Sequence, residues 1–429
     1  MNDLREGPPR LAIGILMVIA WLGVGISSAP AQARDPDDDH LAHARRILRS
    51  VPLIDGHNDL PWGVREDRNA RGNVESVDLH SWRPGDTDIE RLKRGQVGGQ
   101  FWSVYIPGDL PDRHFARMQL EQIDIARRII TRYPGTFAPA LTADDIQKVF
   151  RQGRIASLLG IEGGHAIENS LGVLRAYYGL GVRYMTLTHN VTLDWADAAL
   201  DSARHNGLTP FGREVIREMN RLGMLVDLSH VSAGVMSQAL DVSEAPVIFS
   251  HSSAGALVDV ARNVPDSILV RIPHNGGIVM ATFVPDFVSR DVAAWYEALA
   301  AEQAALPKGP RADSVRMAFT ARRPKPRATL SQVADHIDHI RKIAGADNVG
   351  IGGDFFGSED MPIGLEDVSC YPSLFAELLR RRWSDDDLRK LAGLNLLRVM
   401  RSAESVAARL QRERRPSNAT IELLDRPRP

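Results

Sequence analysis

Eight short runs that are apolar almost throughout recur along the chain. They are VPLIDG (51–56), GGQFWSVYI (98–106), RIASLLGIE (154–162), VRYMTLTH (182–189), GMLVDLSH (223–230), PVIFSH (246–251), GGIVMATF (276–283) and NVGIGGD (348–354). A strand with one wet face alternates apolar and polar residues, whereas a strand covered on both faces reads as a continuous apolar run. Between the runs lie amphipathic stretches such as GREVIREMNRLG (212–223) and LSQVADHIDHIRKIAG (330–345). In the second, Leu330, Val333, Ile337, Ile340 and Ile343 recur at three- and four-residue spacing, which predicts a helix with one buried stripe. Strand and helix in alternation describe a doubly wound sheet or a closed barrel. Eight repeats favour the (β/α)₈ barrel of TIM type.

The pattern also sets boundaries. Residues 34–400 read as one barrel domain, with a long connection over 57–97 and an inserted loop over 284–328 after the seventh strand. That loop is rich in Arg, Lys and Pro, and reads as a solvated loop or as a flap over the barrel mouth. Residues 401–429 read as a charged, irregular tail. At the other end, Arg5 and Arg10 precede the 15-residue run LAIGILMVIAWLGVG and the small-residue stretch SSAPAQA. This is the layout of a signal peptide over 1–33, cut after Ala33 with Ala31 as the alternative. The run is short of the roughly 20 residues that span a bilayer, so no stable membrane anchor is expected after cleavage. The expectation is an exported bacterial protein, periplasmic or secreted. The C-terminal RRPSNATIELLDRPRP lacks the apolar tail of a lipid-anchor signal.

Composition narrows the chemistry. Hydrophobic residues make up 44% and charged residues 25%, as in ordinary globular proteins. The net charge of -2 offers nothing to a polyanion, so no nucleic-acid partner is expected. Cys370 is the single cysteine, which excludes an intrachain disulfide and removes thiolates from any site needing several ligands. A metal site in this chain must be built from histidine and carboxylate.

Of the 13 histidines, four end a strand candidate or follow it directly: His57, His189, His230 and His251. Asp59, Glu162 and Asp354 hold the same kind of position. In α/β barrels the eight strand ends converge on one face, and active sites gather there. His57 and Asp59, two apart on an extended segment, share a face and can reach one cation. His230 and His251 would hold a second, and Glu162 has two oxygens with which to bridge the pair at about 3.5–4 Å. Imidazole and carboxylate suit Zn²⁺, with Mn²⁺ or another divalent ion as the alternative. Two such ions per chain would lower the pKa of a shared water. Asp354 is then a candidate proton carrier, His189 a hydrogen-bond donor to a developing oxyanion, and Arg262 a bidentate clamp for a carboxylate. His165, His336 and His339 read as supporting or packing residues. Ser250, Ser252 and Ser253, with no G-x-S-x-G elbow around them, read as structural.

The chain resembles the membrane (renal-type) dipeptidases, zinc metallopeptidases of the amidohydrolase superfamily. The matching strings are DGHNDLPW (55–62), GIEGGHAIENSLGVLRAYYGLGVRYMTLTHN (160–190), GLTPFGREVIREMNRLGMLVDLSHVS (207–232), APVIFSHSSA (245–254), RNVPD (262–266), LSQVADHIDHI (330–340), GGDF (352–355) and GLEDVSCYPSLFAELLRRRW (364–383). The resemblance implies a metal-dependent dipeptidase. His57 and Asp59 would hold one zinc, His230 and His251 the other, and Glu162 both. His189 and Arg262 would contact a dipeptide substrate, including one with a C-terminal D-residue, and Asp354 would move the proton. The vertebrate members read GGDFDG where this chain has GGDFFG, so Phe356 stands at a second acidic position and puts the substrate range in question. The alternatives are an N-acyl-(D-)amino-acid deacylase and an exported protein that binds without catalysis. The oligomeric state stays open between monomer and homodimer.

Overall fold

Parallel neighbours cannot be joined by a tight hairpin, so each strand of such a sheet must reach the next through a crossover. The computed structural model describes residues 36–81, 85–110, 114–304, 309–358 and 360–425, and the signal-like residues 1–33 lie outside them. The eight apolar runs form eight strands: β1 Leu53–Asn58, β2 Val97–Ser103, β3 Ile155–Glu162, β4 Val182–Thr186, β5 Leu225–Asp227, β6 Ile248–Phe249, β7 Ile278–Ala281 and β8 Val349–Ile351. β1 pairs in parallel with β2 (Ile54↔Gly99) and with β8 (Asp55↔Ile351). β2 pairs with β3 (Gly99↔Ala156), and parallel pairings from β3 through β8 complete the ring. Each of these eight strands has two neighbours, so the ring leaves no open edge and the expected (β/α)₈ barrel is what forms.

Several strands stop short of their apolar runs at the C-terminal end. The run 223–230 gives only Leu225–Asp227, and 246–251 gives only Ile248–Phe249. The missing residues leave the ladder and build the loops of the mouth. A ninth strand, Phe137–Pro139, was not legible: it lies beside the first half of β3 (Phe137↔Ile155), while β4 takes the second half (Glu162↔Thr186). Three residues are too few to show a period.

Two expectations about the outer chain are corrected. The segment 284–328 is not a loop. Its described residues form the helices Pro285–Val288, Arg290–Gln303 and Pro310–Arg322. Trp295, Leu299 and Phe319 make a small core of their own there, and the Trp295 indole N–H donates to the Arg323 carbonyl at 2.7 Å. The prolines that suggested a loop include Pro310, which begins a helix, where its missing N–H costs nothing. Nor does a tail begin at 401, because the helix Asn395–Glu413 runs through that boundary. Its Leu396, Leu397, Val399, Met400 and Ala403 are buried in one cluster with the barrel-strand residues Ile54, Phe101, Leu158, Tyr184 and Met280. The arginines of its outer face mask that apolar stripe in composition.

Candidate metal centre and substrate cavity

The ends of β1 and β8 are fixed first. Asp55, within β1, accepts hydrogen bonds from the His57 N–H (2.9 Å) and the Gly353 N–H (3.0 Å), and the Tyr371 hydroxyl donates to its other oxygen. Burial still pushes this carboxyl up to about 6. Asp59 caps the helix Leu60–Glu66 by position, yet its side chain makes no cap hydrogen bond. Instead the carboxylate turns toward His57, with Oδ2 3.4 Å from Nε2. Glu162 ends β3 and is followed by Gly163 at φ 114, where a Cβ would stand 2.3 Å from the His165 ring; glycine is required. His230 and Asp354 are themselves left-handed, at φ 69 and 59. Such strain, about 1–3 kcal/mol each, persists where the surroundings over-determine it, commonly at functional sites.

Glu162 is the hub. Its Oε1 lies 2.9 Å from His230 Nε2, 3.2 Å from His251 Nε2 and 4.0 Å from His189 Nε2, while its Oε2 is 3.5 Å from His57 Nε2. Asp354 Oδ1 stands 3.8 Å from His57 Nε2. The structure thus brings together all seven metal and catalytic residues named from the sequence. Their ligand atoms fall into three overlapping groups: His57–Glu162–His251, Glu162–His189–His230 and His57–Asp59–Asp354.

Hydrogen bonds behind the rings decide which nitrogens face the centre. The Tyr184 hydroxyl donates to the Gly56 carbonyl and so accepts from His57 Nδ1 at 2.9 Å. Asn190 Oδ1 accepts from His230 Nδ1 at 3.0 Å. Ser250 Oγ donates to Asp227 at 2.5 Å and accepts from His251 Nδ1 at 2.8 Å. With each Nδ1 spent as a donor, three Nε2 lone pairs converge on carboxylate oxygens. His230 Nε2 and His251 Nε2 are only 2.9 Å apart, and His57 Nε2 and Asp59 Oδ1 are buried with no hydrogen-bond partner. Lone pairs aimed at lone pairs in a buried cluster are reconciled by cations, and imidazole oriented by an acceptor behind it is the usual support for a metal ligand. The donor set therefore fits divalent metal ions.

The charges around the hub follow from burial and neighbours. Burial opposes ionisation of Glu162, but His57, His230 and His251 outweigh it and hold the carboxyl well below its usual range. Burial takes His230 and His251 well below the ordinary histidine value, aided by Arg262. His189 is also lowered by burial, with Arg262 again contributing. Asp354 goes the other way: burial, then Asp59 and Glu162 beside it, push it up to about 8 against His57 and Arg262.

A cavity of about 300 Å³ opens over this centre. Asp59, Glu162, His189, His230 and Asp354 line its base, and Trp62, Tyr105, Phe287 and Phe356 supply apolar walls. Phe287 and Val284, also in the lining, come from the start of the 284–328 segment, so part of it does reach the mouth. Arg262 stands in the wall at 1% exposure. Its contacts are long, Nη1 to Ser252 Oγ at 3.4 Å and Nη2 to the His251 carbonyl at 3.5 Å, and Nε has no partner. The guanidinium lies 5.2 Å from the Phe287 ring centroid, and among the described residues no carboxylate comes within 4.0 Å of it. Burial lowers it to about 10, so it stays cationic.

Tyr184, Asn190, Asp227, Trp62 and Tyr105 were missed in the sequence. Asn190 directly follows His189, and Asp227 ends β5; polar residues at strand ends were the available signal. Ser250 is structural as read, in the particular sense of holding His251. His165 donates through Nε2 to the Ile106 carbonyl at 3.1 Å, and His336 Nδ1 accepts from the Ala254 N–H at 3.0 Å, both outside the centre. His339 faces Asp266 at 2.8 Å.

The family model described as membrane dipeptidase, peptidase family M19, matches residues 41–414. Dipeptidase 3 of Rattus norvegicus is 42% identical over 368 residues, which span 85% of this chain and 67% of that protein. The probable dipeptidase PvdM of Pseudomonas aeruginosa superposes with a TM-score of 0.76 at 25% identity, over 86% of this chain and all of that one (100%). A metallo peptidase of Rhodobacter sphaeroides, crystallised with a phosphinate mimic of L-Ala-D-Ala, shares the fold with a TM-score of 0.70 at 23% identity, over 82% of this chain and 99% of that one.

Proposed function

The chain belongs to the membrane dipeptidase family, peptidase family M19, and is a dipeptide hydrolase; from that premise we propose that it works with two zinc ions and accepts dipeptides whose C-terminal residue is L or D. One observation carries the substrate reading: Arg262 is a buried cation in the cavity wall, and among the described residues no carboxylate comes within 4.0 Å of it, Asp354 and Glu162 acting only from farther away. A guanidinium costs several kcal/mol to desolvate unless a counter-charge meets it. The C-terminal carboxylate of a substrate would be that counter-charge, delivered one residue beyond the scissile bond. Tolerance of a D-residue draws its support from the ligand of the Rhodobacter neighbour.

His57 and Asp59 would hold one ion and His230 and His251 the other, with Glu162 shared. When bound, the ions supply a water acidic enough to ionise near neutrality and polarise the scissile carbonyl. The chain's own residues do the rest. Arg262 grips the substrate carboxylate and fixes the peptide across the cavity. His189, kept neutral by burial, donates a hydrogen bond to the carbonyl oxygen as negative charge gathers there. Asp354, next to Asp59 at the β8–β1 junction, takes a proton from the attacking water and returns it to the leaving amine.

A panel of L-L, L-D and D-L dipeptides beside an N-acetyl amino acid tests this reading. L-L and L-D dipeptides are expected to be cleaved, with kcat/KM at least about 10-fold above that for the N-acetyl compound. Faster cleavage of the N-acetyl compound would make the protein a deacylase. The proton role has its own measurement. Asp354→Asn is expected to lower kcat about 10²-fold while the protein keeps its full metal content. Metal lost together with activity would make Asp354 a ligand, and retained turnover would assign the proton elsewhere.

A further inference from the structure

Phe356 belongs to the walls of two cavities. One is the cavity over the metal centre; the other, of about 470 Å³, lies beyond it and is lined by Gly85, Asp86, Arg327, Asp360 and Glu366 among others. The Phe356 ring rests in a cradle of two glycines. Its Cε1 lies 2.7 Å from the place where a Cβ of Gly63 would stand and 2.2 Å from that of Gly85, so any side chain at either position would displace it. The backbone is held just as closely: the Phe356 N–H donates to Asp86 Oδ2 at 3.0 Å, and φ is +67. A non-glycine residue in that region is strained, so the ring's placement is imposed by what surrounds it.

The cradle also fixes the direction. Gly63 and Gly85 both belong to the connection between β1 and β2, whereas Arg262 follows β6, and in a ring of eight strands β2 faces β6. A dipeptide with its carboxylate at Arg262 therefore points its amino end toward Asp59, Trp62 and Phe356. We propose that Phe356 is the barrier that limits this enzyme to two residues, its ring closing the passage from the catalytic cavity into the second one. The inference rests on the dipeptidase reading and the Arg262 clamp given above. Beyond the ring, the exposed Glu366 carboxylate is suited to an ammonium group, while Asp86 is engaged by the Phe356 N–H and the Thr87 hydroxyl and Asp360 is paired with Lys325 at 2.9 Å. With the ring removed, a peptide one residue longer could thread its amino end through. Water would then add across its last peptide bond, hydroxyl to the carbonyl carbon and proton to the leaving nitrogen, releasing a dipeptide and a free amino acid.

The test compares initial rates on L-Ala-L-Ala and L-Ala-L-Ala-L-Ala with zinc-loaded protein. Phe356→Gly suits the left-handed backbone and should fold, and Phe356→Ala provides a second opening should it not. Either is expected to raise the tripeptide-to-dipeptide ratio of kcat/KM by about 10-fold or more, while Phe356→Leu keeps the ratio near that of the wild type. An unchanged ratio in folded, active Gly or Ala variants would overturn the barrier, as would a wild type that cleaves the tripeptide as well as the dipeptide. A wild type that cleaves neither would instead overturn the dipeptidase reading itself.

Discussion

Stripped of divalent ions by a chelator, the protein is expected to lose dipeptide hydrolysis by about 10³-fold or more, a barrier increase of roughly 4 kcal/mol. Little other positive charge stands within reach of the scissile bond among the described residues: burial lowers His189, His230 and His251, Arg262 is committed to the wall, and only His57, where Tyr184, Glu162 and Asp59 outweigh burial, is raised. The stripped protein also leaves the Nε2 atoms of His57, His230 and His251 crowded around Glu162, so reloading should raise its melting temperature. Titration with Zn²⁺ is expected to restore activity with a break at two equivalents per chain, read by elemental analysis beside the rate. Full recovery at one equivalent would remove the second ion from the reaction. Activity in protein holding almost no metal would remove both. Mn²⁺ titrated in parallel decides which ion serves best.

The candidate ligands and the candidate proton carrier were legible because each one sits where a parallel strand runs out. A buried strand is recognisable by its unbroken apolar run, and a histidine or acid at its end is conspicuous against that background. His57, Glu162, His230, His251 and Asp354 are all of this kind, and the (β/α)₈ fold itself follows from the same eight runs. The supports behind the ligands were less visible. Tyr184 lies inside β4, where an aromatic residue reads as core, and only its hydroxyl 2.9 Å from His57 Nδ1 reveals its second task. Ser250 is one of three serines in SHSSA, and nothing in that string distinguishes the one that joins His251 to Asp227.

The outer helices were misread for a different reason. In Asn395–Glu413 the recurring arginines make composition suggest solvent although one stripe is buried, and in Pro310–Arg322 only Phe319 is buried. Burial there is decided by which partner the stripe meets, and that is tertiary information. Phe356 shows the limit most clearly. Its place in GGDFFG marked a departure from the acidic pattern, but its packing on Gly63 and Gly85 joins residues some 270 and more positions apart. No local period carries such a contact.

Arg262→Ala is the change that separates a dipeptidase from a general amidase. An enzyme confined to dipeptides must recognise the free carboxylate next to the scissile bond, and a planar guanidinium does so with two charge-assisted hydrogen bonds. The site is prepared for this: the side chain is buried, its nearest hydrogen-bond acceptors lie at 3.4 and 3.5 Å, and its Nε has none. A partly desolvated pair of this sort contributes about 2–4 kcal/mol, or roughly 30- to 1000-fold in kcat/KM. The substitution is expected to cost that much on free dipeptides. A C-terminally amidated dipeptide, which lacks the charge, should already be a poor substrate for the wild type and should lose little more in the variant. Melting curves taken alongside distinguish this from unfolding, because a packing defect would lower the melting temperature and slow both substrates alike. If free and amidated dipeptides lose activity equally, Arg262 supports the wall of the cavity, and recognition of the carboxylate belongs to another residue of the mouth.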